Sequence, residues 1–230
     1  MFDPIEIEVR PRAGGPPRLM ARLSARDART WHDLGGRVAA TLEPRLPGRV
    51  VANRVLRPGS GWRLEPVETS LRRLRRGLRA ARGWATGRQV FLSTDVEAFF
   101  PSVGPDTVAR SLLAAGASPG DAAEAAAMLE GWASLGYRGL PIGPPASAVL
   151  ANAVLRSVDE AIGVRFLRWV DDYLAVIATE REAAEVLERL DGALAHLGLS
   201  RSARKTRIGG CPGWIASAVG TSGGSGPIRA

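Results

Sequence analysis

Four side chains carry the chemistry that this sequence is equipped to do: Asp95, Asp171, Asp172 and Lys205. Asp95 closes an apolar run, Gln89-Val90-Phe91-Leu92-Ser93-Thr94, of the kind that forms a buried strand. Asp171 and Asp172 separate two strand-like runs, 165–170 and 173–178, which together read as a hairpin. If strand and hairpin are neighbours in one sheet, the three carboxylates converge at one of its ends. Taken singly they mean little, because Asp is common in turns and after strands. Converged on rigid elements, they could hold two hard cations about 3.5–4 Å apart, the spacing that stabilises both the attacking and the leaving oxygen of a phosphoryl transfer. Such a transfer asks the protein for charge neutralisation and in-line positioning and for little covalent chemistry.

The rest of the composition narrows the ligand set. A single cysteine, Cys211, excludes an internal disulfide and a cysteine-based zinc site. Only His32 and His196 are present, which argues against a histidine metal cluster. A metal must therefore sit on carboxylate oxygens, which favours Mg2+ or Mn2+. The net charge is +8, and the pI is about 11.1. For a basic soluble protein the usual polyanionic partner is nucleic acid. Part of that charge is compositional, since Ala, Gly and Arg are all abundant. Every basic side chain is Arg except Lys205. Where Arg is the default cation, a lone Lys marks a position where a group able to release a proton is useful.

The elements that must position these groups follow from periodicity. Residues 1–25 hold one alternating stretch, Ile5-Glu6-Ile7-Glu8-Val9, expected as a half-exposed strand ahead of a break at Gly14-Gly15-Pro16-Pro17. A helix is expected over 28–42, and a strand-like run over 50–56 between Pro47-Gly48 and Pro58-Gly59. Residues 67–83 show Leu71, Leu74 and Leu78 at helical spacing. Arg72, Arg73, Arg75, Arg76, Arg79 and Arg82 cover most of the remaining surface without interleaved acids, which suits a helix that tracks phosphates. Helices are expected over 105–115, 120–134 (capped by Asp121), 147–161 (starting at Ser147) and 180–198, with short strands at 206–209 and 213–219. The tail from Thr221 is rich in Gly and Ser. This order predicts an α+β fold, an antiparallel sheet with helices packed on one face. With 45% apolar residues, no apolar run of about 18 residues and no leader pattern at Met1-Phe2-Asp3-Pro4, a soluble, cytoplasmic protein with no membrane partner is expected.

Four segments in order resemble the palm motifs of reverse transcriptases. Phe91-Leu92-Ser93-Thr94-Asp95-Val96-Glu97-Ala98-Phe99-Phe100-Pro101-Ser102-Val103 is similar to the first. Gly139-Leu140-Pro141-Ile142-Gly143-Pro144-Pro145, continuing to Asn152, is similar to the second. Phe166-Leu167-Arg168-Trp169-Val170-Asp171-Asp172-Tyr173 resembles the third, and Leu197-Gly198-Leu199 followed by Lys205-Thr206 the fourth. The resemblance covers roughly residues 50–215 and implies a right-hand polymerase palm with fingers and a minimal or absent thumb. The expected division is an N-terminal segment and fingers over 1–88, a palm over 89–215 and a flexible tail over 216–230.

By that resemblance, Asp95, Asp171 and Asp172, with the backbone carbonyl of Val96, would hold two Mg2+ ions, or Mn2+ in their place. Lys205 would act as general acid toward the leaving pyrophosphate. Phe100 would stack under the incoming sugar and select deoxynucleotides, with Phe99 turned into the core. Gly143 and Arg63 would lie at the dNTP. Ser147, Asn152, Arg72 and Arg76 would contact template and primer. The implied activity is RNA-directed DNA synthesis, with an RNA template, a DNA product and dNTPs as partners. Trp169 stands where the family usually has Tyr or Phe. Ile142 stands where retroviral and group II intron enzymes usually carry Gln, and it resembles the bacterial diversity-generating and antiviral-defence lineages. The sequence ends 25 residues after Lys205, so a structured RNA, a protein partner or a second copy is expected to replace the thumb. An RNA-dependent RNA polymerase would carry an acidic residue near Phe100. A non-catalytic RNA-binding protein on the same fold would be expected to have lost a carboxylate.

Overall fold

Strict alternation along three strands decides the architecture, as seen in a computed structural model that describes residues 2–11, 17–57, 61–83 and 90–209. The turns expected at Gly14-Gly15-Pro16 and Pro58-Gly59, Arg82's place on the helix face, the strand expected at 213–219 and the tail lie outside what is described. Strands β5 (Val90–Asp95), β6 (Phe166–Trp169), β7 (Asp172–Ile177) and β8 (Arg207–Gly209) form one antiparallel sheet in the order β6-β7-β5-β8. Leu92, Phe166, Tyr173, Ala175 and Ile177 point into the main core. Phe91, Leu167 and Leu174 point the other way. A period of two makes that division unavoidable.

The main core is filled by helices α1 (Ala25–Leu42), α3 (Phe99–Ser102), α4 (Pro105–Ala114), α5 (Pro119–Ser134), α6 (Pro145–Val154), α7 (Arg156–Ala161) and α8 (Glu180–His196). The opposite face is not bare, as a one-sided helix layer would leave it. Helix α2 (Val67–Gly83) lays Leu74 and Leu78 over Phe91, Leu167 and Leu174. It approaches closely because Gly77 has no side chain: a Cβ there would stand 2.6 Å from a methyl of Leu167. The basic helix is thus fixed directly behind the strands that carry the aspartates.

Local signals set most boundaries. Ser24 Oγ accepts from Asp27 N at 3.2 Å and starts α1, and Thr179 Oγ1 accepts from Glu182 N at 3.1 Å and starts α8. Two expected caps differ. Helix α5 is capped by Ser118, whose Oγ accepts from Asp121 N at 3.0 Å, with Pro119 at the first helical position. Helix α6 starts at Pro145, not at Ser147, because a proline pre-sets φ and has no amide to leave unsatisfied there. The helix expected over 147–161 is split at Leu155 into α6 and α7.

Near the N-terminus, β1 (Glu6–Arg10) pairs with a second strand, β2 (Arg18–Arg22), and every β1 residue is exposed rather than alternate ones. Of the strand expected over 50–56, only β3 (Val55–Leu56) is a strand, paired with β4 (Arg63–Leu64), while Val50 bridges to Arg168. No described helix is long and apolar enough to cross a membrane.

Candidate active site

Central placement of β5 brings Asp95, Asp171, Asp172 and Lys205 to one end of the sheet. β7 flanks it on one side and β8 on the other. Asp95 is the register partner of Asp172, so the hairpin carboxylates arrive from the β7 side. Lys205 arrives from the β8 side, on the 3-10 turn Ala203–Lys205. The chain is laced across the junction: Val96 N donates to Asp171 O at 3.3 Å, Ser202 N to Asp95 O at 2.9 Å and Glu97 N to Ser200 O at 2.8 Å.

Asp95 is only 4% exposed, and its two oxygens have different surroundings. Oδ2 accepts a hydrogen bond from the Lys205 ammonium. Oδ1 is buried with no hydrogen-bond partner, as is Ser202 Oγ. A buried carboxylate oxygen left without a partner is costly unless something positive is meant to meet it. Asp171, half-buried at the hairpin tip, has its carboxyl pushed up, first by burial and then by the charge of Asp95, against the pull of Lys205 and Arg168. The Lys205 ammonium is pushed up by its hydrogen bond to Asp95, with further help from Asp172 and Asp171. The cluster therefore has more negative charge than one ammonium balances. Among the described residues no group of three or more His, Cys, Asp or Glu side chains is arranged to hold a metal ion. The aspartates at this end of the sheet offer carboxylate oxygens alone, the donor type that suits a hard cation rather than a soft one.

Phe99 and Phe100 diverge as expected, although they do so on a helix. They lie on α3, where successive residues turn by about 100°, not on a strand. Phe99 is buried; Phe100 is half-buried, its ring 5.4 Å from that of Phe99 at 76°. The Phe100 backbone is clamped by the loop before α6. Leu140 N donates to Phe100 O at 2.8 Å, and Gly139, at φ +82°, passes so close that a Cβ would stand 2.3 Å from that oxygen. Ala21 N of β2 donates to Ile142 O at 2.7 Å, and the Met20 side chain abuts Gly143.

Other expected site residues are dispersed. Arg63 is exposed on β4, in a hairpin separate from the main sheet. Arg72 and Arg76 are exposed on α2 together with Arg75 and Arg79. Arg73 is not part of that face: its guanidinium grips Glu65 with two bonds of 2.6 and 2.8 Å. Ser147 and Asn152, expected at template and primer, are each 1% exposed, with their polar atoms engaged inside the protein. Ser147 Oγ accepts from Trp31 Nε1 at 3.0 Å. Asn152 donates to Asn53 O at 3.1 Å and accepts from Arg168 at 2.9 Å.

The reverse transcriptase family profile, described as "Reverse transcriptase (RNA-dependent DNA polymerase)", matches residues 55–212. The chain belongs to the reverse transcriptase family. No curated protein matches the sequence. Solved structures with a similar fold include apo telomerase from Candida tropicalis, at TM-score 0.59 and 10% identity over 91% of this chain and 45% of that one. Telomerase from Candida albicans with the TWJ fragment of telomeric RNA aligns at TM-score 0.60 and 10% identity, over 90% of this chain and 43% of that one. This reverse transcriptase chain thus spans less than half the length of either telomerase chain, and at such identity the likeness is one of fold.

Two groups near the site escaped the sequence reading. Ser202 gave no signal beyond its place shortly before Lys205. Arg168 did give one, a charge in the middle of an otherwise apolar strand, which must find a partner when buried.

Proposed function

We propose that the chain is an RNA-directed DNA polymerase that extends a primer with deoxynucleotides by a two-metal-ion route. The observation that carries this reading is the buried, unpartnered Oδ1 of Asp95 inside a cluster with surplus negative charge. Asp95, Asp171 and Asp172, with the Val96 carbonyl, would hold two Mg2+ or Mn2+ ions, which supply charge neutralisation at the triphosphate and activation of the primer hydroxyl. Lys205 stands beside the same carboxylates with a proton to give to the leaving pyrophosphate. The exposed arginines of α2 offer a phosphate-binding face. RNA as template is supported by the family, whose description is that of an RNA-dependent DNA polymerase.

The test is incorporation of dNTPs on a primed RNA template with Mg2+ or Mn2+, against a chelator control. Metal-dependent extension is expected. No incorporation on any template, alongside tight RNA binding, would instead identify a non-catalytic binding module.

Phe100 is proposed to be the sugar gate, half-exposed and held by a clamped backbone. Phe100→Ala is expected to reduce discrimination between dNTP and rNTP at least about tenfold, judged from kcat/KM for each. If ribonucleotide use does not rise, the gate lies elsewhere.

A further inference from the structure

The loop that presents Asp171 has a residue poorly suited to it. Trp169 and Asp172 are register partners, so Val170 and Asp171 form a two-residue hairpin loop. Val170 has φ +57°. Loops of this length with positive φ at the first position are normally built with Gly or Asn. A β-branched residue there is an outlier that persists only where its surroundings impose it.

Those surroundings centre on Arg168, whose side chain is fully buried. Its guanidinium spreads three nitrogens over three partners. Nε and Nη2 donate to the two oxygens of Asp159, each at 2.8 Å. Nη1 donates to Asn152 Oδ1 at 2.9 Å and to Val170 O at 2.8 Å. Each partner is itself held. Tyr173 OH donates to Asp159 Oδ1 at 3.0 Å, and Asn152 Nδ2 donates to Asn53 O at 3.1 Å. The Arg168 backbone is fixed as well, its N donating to Arg49 O at 2.9 Å and its carbonyl accepting from Val51 N at 3.0 Å. The bond from Arg168 Nη1 to Val170 O ties this network to the hairpin loop.

We infer that Arg168 is a positioning residue: its guanidinium, oriented by Asp159 and Asn152, holds the Val170 carbonyl and so keeps the strained hairpin loop in the shape that aims Asp171 at Asp95. The inference rests on the polymerase reading for its consequence in catalysis, but its geometry does not. A planar fork is required, because three nitrogens must reach three separate partners at once. A lysine ammonium supplies positive charge for Asp159 at a single point and cannot also span to Val170. Arg168 therefore does more than neutralise a buried acid, and the difference between the two roles can be measured.

The readout of loop shape is the Val96 amide, which donates to Asp171 O. Its hydrogen exchange reports whether Asp171 is in place, with no metal, nucleotide or activity needed. Arg168→Lys is expected to speed exchange at Val96 about tenfold and to lower kcat for incorporation about 10- to 100-fold, with KM for dNTP changed less than about threefold. Val170→Gly, which accepts a positive φ without strain, added to Arg168→Lys should restore both the slow exchange and most of kcat. A residue that only neutralised Asp159 would not be rescued by a change in the loop. If Arg168→Lys does not accumulate as folded protein, Tyr173→Phe serves in its place. It removes one bond to Asp159 and should speed Val96 exchange about threefold, again reversed by Val170→Gly. Unchanged Val96 exchange in the folded variant, or faster exchange that Val170→Gly leaves uncorrected, overturns the inference. The expected exchange pattern in a chain that incorporates no nucleotide leaves the inference standing and overturns the polymerase reading.

Discussion

Asp171→Asn is expected to lower nucleotide incorporation about 10³-fold, equivalent to about 4 kcal/mol of transition-state stabilisation, without loss of the fold. The amide keeps the size and shape of the carboxylate but removes the charge that would face the metal ions and replaces one acceptor oxygen with a donor nitrogen. The same substitution has a second, opposite consequence. Burial and the neighbouring Asp95 push the Asp171 carboxyl up. Between the ordinary carboxylate range and that raised value, the folded chain keeps a proton that the unfolded chain has released. Stability of the metal-free protein therefore falls as pH rises through that window and stays lower above it. Asp171→Asn removes this penalty, so at neutral pH in chelator the variant should melt above the wild type, while at pH below the window the two should converge. Divalent cation should raise the melting temperature of the wild type and do so much less for the variant. Wild-type incorporation by Asp171→Asn would sink the metal assignment. Melting below the wild type at neutral pH would show that the carboxylate is structurally satisfied rather than held in reserve.

How much of this could be read in advance differs from residue to residue. Asp95 and the Asp171-Asp172 tip stood out because they close or separate apolar runs of strand length, whereas the pairing of β5 with β7 that sets Asp95 beside Asp172 was only a condition of that reading. The helix that begins at Val67 was legible from its leucine spacing. Its partner face was not. Nothing local in Leu74 and Leu78 says that they cover Phe91, Leu167 and Leu174, and the one hint, Gly77, makes sense only beside Leu167. Arg73 looked equivalent to its neighbours because its acid, Glu65, precedes the helix. Ser147 and Asn152 were placed at the template by resemblance. Their polar atoms are engaged by Trp31, Asn53 and Arg168, which are distant in sequence and meet them only in the folded chain. Motif spacing thus pointed to the groups proposed to react. What holds those groups came from long-range contacts that no local pattern encodes.

Lys205 is where the two kinds of reading meet, and Lys205→Arg is the substitution that separates them. In a chain whose other cations are all Arg, the change costs nothing in composition and keeps the positive charge beside Asp95. Lys205 is 58% exposed, so there is room for the larger head group. Folding should be unaffected near neutrality. The pairing raises the lysine's pKa, so its contribution is fully present below the ordinary lysine range and is lost only as pH rises through the raised value. What Arg cannot do is release a proton on the timescale and at the pH of the reaction. If Lys205 is the general acid, Lys205→Arg should lower kcat about 10²-fold, with Lys205→Ala no more than a few-fold worse, and KM for dNTP should change little. The alkaline fall of the wild-type pH–rate profile should also disappear in Lys205→Arg. If instead Arg restores wild-type turnover while Ala does not, the lysine acts as a counter-charge alone. Its survival among thirty-one basic residues would then be an accident of composition, and the proton would have to come from water.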